Sequence, residues 1–540
     1  MKCRKCGINE AAFFISWGDA LGRKIGFCDS CAEEVGIFSA LRRVESLLHG
    51  FGASIEGDIQ MDSLPVPVEF AEACHSCGTE LVEFERKFMF GCEECSKVFG
   101  SLVANYMTIL GGNPNGGVGF YRGDPPNSYS EKTKISDLRK SIDEKIRSEE
   151  YDKAAKQRDR LNALEEELNA RRKLQIAEIS KKQPVIEQCA GKDLRERLNN
   201  IDDIPTAGDN WLWSQIEIRR NFSGLKFPSR ANASQREYAK KYVTSLIPPK
   251  WLAGVKQVQL SRLAQITCRA IGERLLHSRI QPDATVLFSD DMTRFAFING
   301  MDHVMFGTRT RERDAAGALS RAMSPVKKIE REAEVAFNPR FGFITTQPKH
   351  LGTGLSVSVI LHLPYCFFRG KTFFWPDKAE NASVRLDSLC GKNLEHHGFY
   401  RVSSTVGFGR PAEEIVAEVY SFAERMVAEE LDIKNSFKLS EINRIKNLIP
   451  RVMNNSTRSY RLSYQDVLRF ASFMTIGVSS EALDLPAFNI NDVIPRMSSI
   501  YVMYNDRKAY SINQCEKRRA DLFADIVDYW QTPELIRKKP

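Results

Sequence analysis

Four Cys-x-x-Cys pairs crowd the first hundred residues, and they restrict the fold more tightly than anything else in the sequence. Cys3 and Cys6 are followed by Cys28 and Cys31, and Cys74 and Cys77 by Cys92 and Cys95. One such turn presents two thiolates on a short knuckle, and two knuckles complete the tetrahedral shell that zinc prefers. Two zinc ions per chain are therefore expected. A closed four-sulfur shell leaves no place for water, so both are read as structural, supplying folding free energy that short segments lack. Eight of the 13 cysteines fall into this pattern, while Cys189, Cys268, Cys366, Cys390 and Cys515 are scattered and read as ordinary. A redox role is disfavoured, because no βαβ pattern surrounds the pairs. The N-terminus lacks a secretory apolar core, and no apolar run reaches the roughly 20 residues of a membrane span. A cytoplasmic address with reduced thiols, and no membrane partner, is the expectation.

Charge is spread unevenly. The chain carries a net +8, yet residues 1–130 carry a net −6. A zinc module built for nucleic acid would present a basic face to phosphates, so an acidic one argues for a protein partner. Residues 1–50 and 51–110 hold one cysteine module each. Residues 111–130 (GGNPNGGVGFYRGDPPNSYS) read as a flexible linker. Residues 131–172 place 23 charged residues in 42 positions. Within them Ile135, Leu138, Ile142 and Ile146, then Leu161, Leu164 and Leu168, form a narrow apolar stripe that calls for a partner helix. From about Asn210 the composition turns globular. Ala284–Phe288, Phe295–Ile298 and Ser356–Leu363 read as strands, Ala412–Leu431 as an amphipathic helix, and roughly 440–530 as a helical block.

The wording of the charged segment is more specific than its periodicity. Leu138, Ile142, Tyr151-Asp152-Lys153-Ala154-Ala155, Arg158-Asp159 and Leu164-Glu165 resemble the UVR motif, a helical hairpin used for protein docking. That motif occurs in nucleotide-excision-repair proteins and in McsA-type activators of protein-arginine kinases. The latter also place paired Cys-x-x-Cys modules before the hairpin, so residues 1–172 resemble that family throughout; the repair proteins do not share the cysteine arrangement.

A second resemblance covers residues 207–530. Phe341–Pro364 (FGFITTQPKHLGTGLSVSVILHLP) is similar to the phosphagen-kinase signature in its McsB-type, protein-arginine-kinase form. Gly342, Thr345, Pro348, Gly352-Thr353-Gly354, Ser358, Val359 and Leu361–Pro364 match. Asp290-Asp291 with Asn299, Asp302 and His303 resembles the family's SDD…NEEDH. Gly398–Ser403 with Gly407-Phe408-Gly409 resembles a later glycine-bounded segment, and Arg458-Ser459-Tyr460 with the helices after it resembles the McsB-type C-terminal region. The resemblance implies a linker at 173–206, a catalytic-type domain at 207–435 and a helical region at 436–540. The fold class expected is multidomain α+β: small zinc modules, a UVR-like hairpin, and an antiparallel sheet flanked by helices.

The matching positions have lost most of what phosphoryl transfer needs, namely cations on the triphosphate and carboxylates on the acceptor guanidinium. Gln215 and Glu217 stand where the family sets two phosphate-binding arginines, Met305 and Ser356 replace two more, and a fifth falls near Leu386, one step from Arg385. Gly300 and Met301 replace the paired glutamates, Gln347 the reactive-site cysteine, and His350 the asparagine after it. Arg220, Asp302, His303, Gly352, Thr353 and Gly354 are retained; Asp302 and His303 are read as structural, and the Gly-Thr-Gly stretch as a tight backbone turn. The family's phosphoarginine-binding RDxxRA motif corresponds to Cys515–Ala520; Glu516 and Arg519 are read either as a remnant of that anion site or, the favoured reading, with Lys517–Arg519 as a solvated helix face. One lost charge stabiliser costs about 10²–10³ in rate, and a lost base about 10²–10⁴.

No catalytic residue is therefore assigned, and binding of Mg-ATP is not expected. The reading is a catalytically degenerate, pseudokinase-type regulator or adaptor acting by protein docking in stress response and proteolysis control. By resemblance its partners are an authentic protein-arginine kinase, a ClpC-type unfoldase or a stress repressor, with self-association. The alternatives are an active protein-arginine kinase carrying its activator in cis, rewired through Asp302, Arg219, Arg220, Arg309, Arg311 or Lys349, and a UVR-motif DNA-repair accessory.

Overall fold

Strand alternation in the body dictates its architecture. In Trp211–Arg220 every residue is buried, yet the two faces differ in kind: Leu212, Ile216 and Ile218 point one way, Gln215, Glu217 and Arg219 the other. The apolar face demands a layer of helices, and the polar face becomes the floor of a site.

The computed structural model describes, apart from single positions, residues 73–104, 129–199, 210–275, 281–389, 394–458, 461–481 and 497–531, with Glu10 and the stretches 13–17, 24–28 and 53–56. Strands β1 (Phe13–Trp17), β2 (Lys24–Phe27) and β3 (Ala53–Glu56) form a small antiparallel sheet in the order β2-β1-β3. The body holds β4 (Glu187–Gln188), β5 (Trp211–Arg220), β6 (Val255–Gln259), β7 (Thr285–Ser289), β8 (Arg294–Ile298), β9 (Val304–Thr310), β10 (Phe337–Asn338), β11 (Gly342–Phe343), β12 (Leu355–His362), β13 (Val384–Ser388) and β14 (Phe399–Ser404). Nine of them form one sheet, β13-β14-β12-β5-β9-β8-β7-β6-β4. All of its pairings are antiparallel except β4 with β6, so the sheet is mixed at that edge rather than antiparallel throughout. Helices Ala315–Glu332 and Ala412–Asn435 cover the apolar face, where Tyr420 donates to Ser214 Oγ at 2.6 Å. The helices Leu439–Arg458, Tyr464–Ser479, Ser499–Asp506 and Ile512–Gln531 follow, and Ser499–Asp506 packs against the body helix Gln265–Arg274.

Helices Tyr129–Arg147 and Tyr151–Ile179 form a hairpin that turns at Glu149, whose φ is 58°. Ala154, Leu161, Leu168 and Ile176 are its buried stripe, and Arg139 reaches Glu165 across the hairpin at 2.6 Å. The second helix overruns the expected boundary. Past residue 172 it packs on the body, where Ile176 joins the main core and Arg172 grips Glu334 through two bonds of 2.7 and 2.5 Å. The stretch to residue 199 is itself structured, with β4 and the helix Gly191–Asn199.

One buried ion pair ties these layers together. Arg220 meets Glu330 of the helix at 2.6 Å, donates to the carbonyls of Arg219 and Thr353, and lies over the Phe343 ring at 3.6 Å. Removing one partner of such a pair strands the other, at about 3–5 kcal/mol. We therefore expect Arg220→Met to lower urea-unfolding stability by that order, and Arg220→Met/Glu330→Leu to recover most of it; equal losses in the two variants would contradict the account.

Candidate functional site

Two places concentrate chemistry-bearing side chains. The first is the second cysteine module. Cys74, Cys77, Cys92 and Cys95 are all buried, and their sulfurs lie within 4.8 Å of one another. Sγ separations are 3.7 Å for Cys74–Cys92, 3.4 Å for Cys77–Cys95 and 4.0 Å for Cys92–Cys95. A tetrahedron with metal–sulfur bonds of about 2.3 Å has edges near 3.8 Å, so the donor set fits a structural zinc. Gly91 permits the fold of the knuckle: a Cβ there would meet Thr79 Oγ1 at 2.5 Å and Cys77 Sγ at 2.8 Å. Of the first module, Cys28 is buried, and Cys3, Cys6 and Cys31 lie outside the described residues.

This module is built into the body. Phe84, Phe88, Phe90 and Phe99 share one core with Phe227, Phe341, Ile344, Leu351 and Phe408. Phe90 N–H donates to Thr346 O at 2.8 Å, Phe227 N–H to Gly91 O at 2.9 Å, and Phe337 N–H to Glu93 Oε1 at 3.1 Å. Arg230 pairs with Glu83. The cysteine knuckle thus braces the segment that carries Gln347.

The second place is the polar face of the sheet, where register decides who meets whom. Gln215 lies opposite Arg309 on β9 and Ser358 on β12, and Glu217 opposite Ser356. Glu217 sits at the centre: it accepts from Arg219 at 2.5 Å, from Gln215 at 2.7 Å and from Ser356 at 3.1 Å. Arg309 donates to Gln215 Oε1 at 2.9 Å and to Arg274 O at 2.8 Å, and burial pulls its guanidinium down to about 9. Met305 is buried opposite Arg219. Leu386 is buried, while Arg385 is exposed and pairs with Asp387 at 2.8 Å. Sequence reasoning missed Arg401, although its spacing of two from Ser403 on a strand puts both on this face, since Ser403 lies opposite Ser358. It also missed Arg274, which arrives from a helix.

The remaining positions cluster beside the braced segment. Asp302 accepts from Asn221 Nδ2 at 2.7 Å and Thr346 N–H at 2.6 Å, and burial raises its pKa. His303 accepts from Phe222 N–H at Nδ1 (3.2 Å), which leaves Nε2 to donate to Lys226 O at 3.0 Å. Gly300 carries no side chain. Half-buried Met301 offers its carbonyl to Thr346 Oγ1 at 2.6 Å. Gln347 opens the short turn Pro348–His350 and, with His350, is half-buried. Thr353 O and Gly354 seat Arg220: Gly354 has φ 68°, and a Cβ on it would meet the Arg220 Nη1 at 2.5 Å. Gly352, with φ 93°, lies against Gly342. The Gly-Thr-Gly turn is thus shaped by a buried arginine.

Arg519 is fully buried, donating to Met497 O, Leu462 O and Ser499 Oγ at 2.5–2.7 Å. Glu516 offers its backbone carbonyl to Leu462 N–H at 3.1 Å. Arg519 is a strut between helices and does not face outward.

Residues 231–433 match the ATP:guanido phosphotransferase C-terminal catalytic domain. The protein-arginine kinase of Halothermothrix orenii is 20% identical over 317 residues, 58% of this chain and 91% of the relative. That of Moorella thermoacetica is 23% identical over 327 residues, 58% of this chain and 93% of the relative. The substrate-free duplicated taurocyamine kinase of Schistosoma mansoni aligns with 16% identity and a TM-score of 0.37, over 53% of this chain and 44% of that one. The chain thus carries a phosphagen-kinase-type C-terminal domain with protein-arginine kinases as homologues. Among the described residues, no helix is long and apolar enough to cross a membrane.

Two outcomes are expected. Cys95→Ser should remove one equivalent of zinc by elemental analysis and speed amide exchange of Phe90, whose N–H crosses to the body; full zinc retention would refute the ligand set. His303 is held neutral by burial, with its pKa drawn from 6.5 to about 4. The unfolded chain therefore takes up a proton between those values that the folded one refuses. Stability is fully present above pH 6.5 and falls as pH drops, by about 3 kcal/mol at pH 4 from this residue. Urea titrations should give a shallower acid slope for His303→Gln.

Proposed function

We propose that this chain is a catalytically silent, kinase-shaped regulator that acts by docking proteins rather than by transferring phosphoryl groups. The observation that carries the reading is Glu217. Its carboxylate occupies the middle of the polar sheet face and is held there by Arg219, Gln215 and Ser356. A fixed negative charge on the floor repels a triphosphate and employs a cation that would otherwise meet it.

The acceptor side supports the same conclusion independently. Gly300 and Met301 offer no carboxylate to orient and deprotonate a guanidinium. Asp302 is buried with its Oδ1 engaged by Asn221 and Thr346, and His303 has both ring nitrogens engaged. A missing base costs about 10²–10⁴ in rate, and a misplaced phosphate cation about 10²–10³ more.

For the docking role, two features matter. Zinc at Cys74, Cys77, Cys92 and Cys95 would fix a module whose aromatic core is continuous with the kinase-like body. A cleft of about 1290 Å³ opens between this module, the hairpin and the body, edged by His75, Lys97, Lys140, Asp143, Lys226 and Arg340. The partner we propose is a protein, an authentic protein-arginine kinase first among the candidates by family resemblance.

A second reading, an active protein-arginine kinase with a rewired site, is favoured by the homologues' activity and by Arg219, Arg309 and Arg401 on the same face. Labelled ATP with an arginine-rich acceptor separates the two. Acid-labile, base-stable label should stay at the buffer blank, for the wild type and for Gly300→Glu/Met301→Glu alike. Turnover approaching roughly 1 s⁻¹, the lower end for kinases, would establish the enzyme instead.

A further inference from the structure

The acidic centre of the polar face is only half of its electrostatics. Directly opposed residues of an antiparallel pair share a face. Gln215 opposes Arg309 and Ser358; Ser358 opposes Ser403; Arg401, two residues before Ser403, opposes Asp387. Four strands, β9, β5, β12 and β14, therefore deliver Arg309, Arg219, Ser358 with Ser356, and Arg401 with Ser403 to one floor. These arginines are not at the positions expected from family resemblance, which hold Gln215, Glu217, Met305 and Ser356.

The cations outnumber the carboxylates that hold them. Glu217 binds Arg219, and Asp387 binds Arg385. Among the described residues Arg309 reaches only neutral groups, Gln215 Oε1, Arg274 O and the Trp213 ring at 5.2 Å, and its Nε is buried without a hydrogen-bond partner. Arg401 is half-buried with its Nε likewise unpartnered, and burial lowers its pKa even though Asp387 and Glu217 act on it from a distance. A buried polar group left unbonded costs about 1–3 kcal/mol, and more when charged. Such donors are expected where a ligand completes them.

We propose that this face binds a compact tetrahedral oxyanion of the phosphate class, held between Arg309 and Arg401 and never transferred. The inference rests on the reading that the site is chemically silent, and adds what it recognises. Guanidinium forks suit phosphate oxygens, and donors from four strands surround a tetrahedral group better than a planar carboxylate. Two guanidinium charges without a bound carboxylate match a phosphate dianion of about −1.5 to −2. A nucleoside triphosphate carries more charge than two arginines offset, and Glu217 opposes the excess.

The test is calorimetry on the full zinc-loaded chain with inorganic phosphate, a phosphoserine peptide and Mg-ATP in separate titrations. Phosphate or the peptide should bind; whichever binds tighter identifies a free or a protein-borne source. Arg401→Gln should weaken that binding at least tenfold, while Lys508→Gln, an exposed residue elsewhere, should leave it unchanged. Glu217→Gln removes the opposing charge and should tighten binding at least threefold, which keeps the question open to decision should Arg401→Gln fail to fold. Absence of binding by both phosphate compounds, or binding insensitive to both variants, overturns the anion site and leaves the silent-regulator reading intact. Tight Mg-ATP binding with label appearing on arginine overturns both.

Discussion

Arg220 is the constraint on which the body depends. A guanidinium sealed inside the domain must find partners in every direction its five donors point, and here it finds them on four elements. Glu330 comes from a covering helix, the Arg219 carbonyl from its own strand, the Thr353 carbonyl from the Gly-Thr-Gly turn, and the Phe343 ring from β11. Gly354 leaves the space that this close approach requires. Sheet, helix and turn are thereby locked in a single arrangement, whether or not anything is phosphorylated beside them. The frame thus has its own electrostatic reason to exist, independent of phosphoryl transfer.

The polar face beside that lock is organised around one carboxylate, Glu217. Alternation along β5 forces Gln215, Glu217 and Arg219 to share a side, so the carboxylate at 217 organises its neighbours: Arg219 and Ser356 turn to it, and Gln215 bridges it to Arg309. On the neighbouring loops, Asp302 spends its carboxylate on Asn221 and on the Thr346 N–H, and His303 its polar atoms on Asn221, Phe222 and Lys226.

The cysteine module reaches the same segment from outside. Its aromatic residues are not packed only against each other; Phe227, Phe341 and Phe408 of the body complete their core, and the Phe90–Thr346 hydrogen bond joins the two backbones. A knuckle too small to fold on its own apolar area gains part of its core from the domain it covers. A metal held by the four cysteines would thereby be coupled to the geometry of the kinase-like loops.

Much of this was legible in the amino-acid sequence. Ligand spacing identified Cys74, Cys77, Cys92 and Cys95, because a metal shell is a local demand on residue type and separation. Short apolar runs located Thr285–Ser289, Arg294–Ile298 and Leu355–His362 within a residue or two, and helical spacing located Ala412–Asn435. The body's resemblance to phosphagen kinases was equally readable, since the Gly-Thr-Gly turn needs glycine wherever backbones nearly touch. Other features depended on long-range register. Nothing local places Arg401 on the same sheet face as Glu217, since their strands meet only through β12, nor reveals that Arg519 points inward. The overrun of the hairpin helix past residue 172 was decided by Glu334, 162 residues away. Sequence determines which groups a strand or knuckle must present; only the folded sheet decides which charges face one another, because opposition across strands is a property of pairing and not of composition.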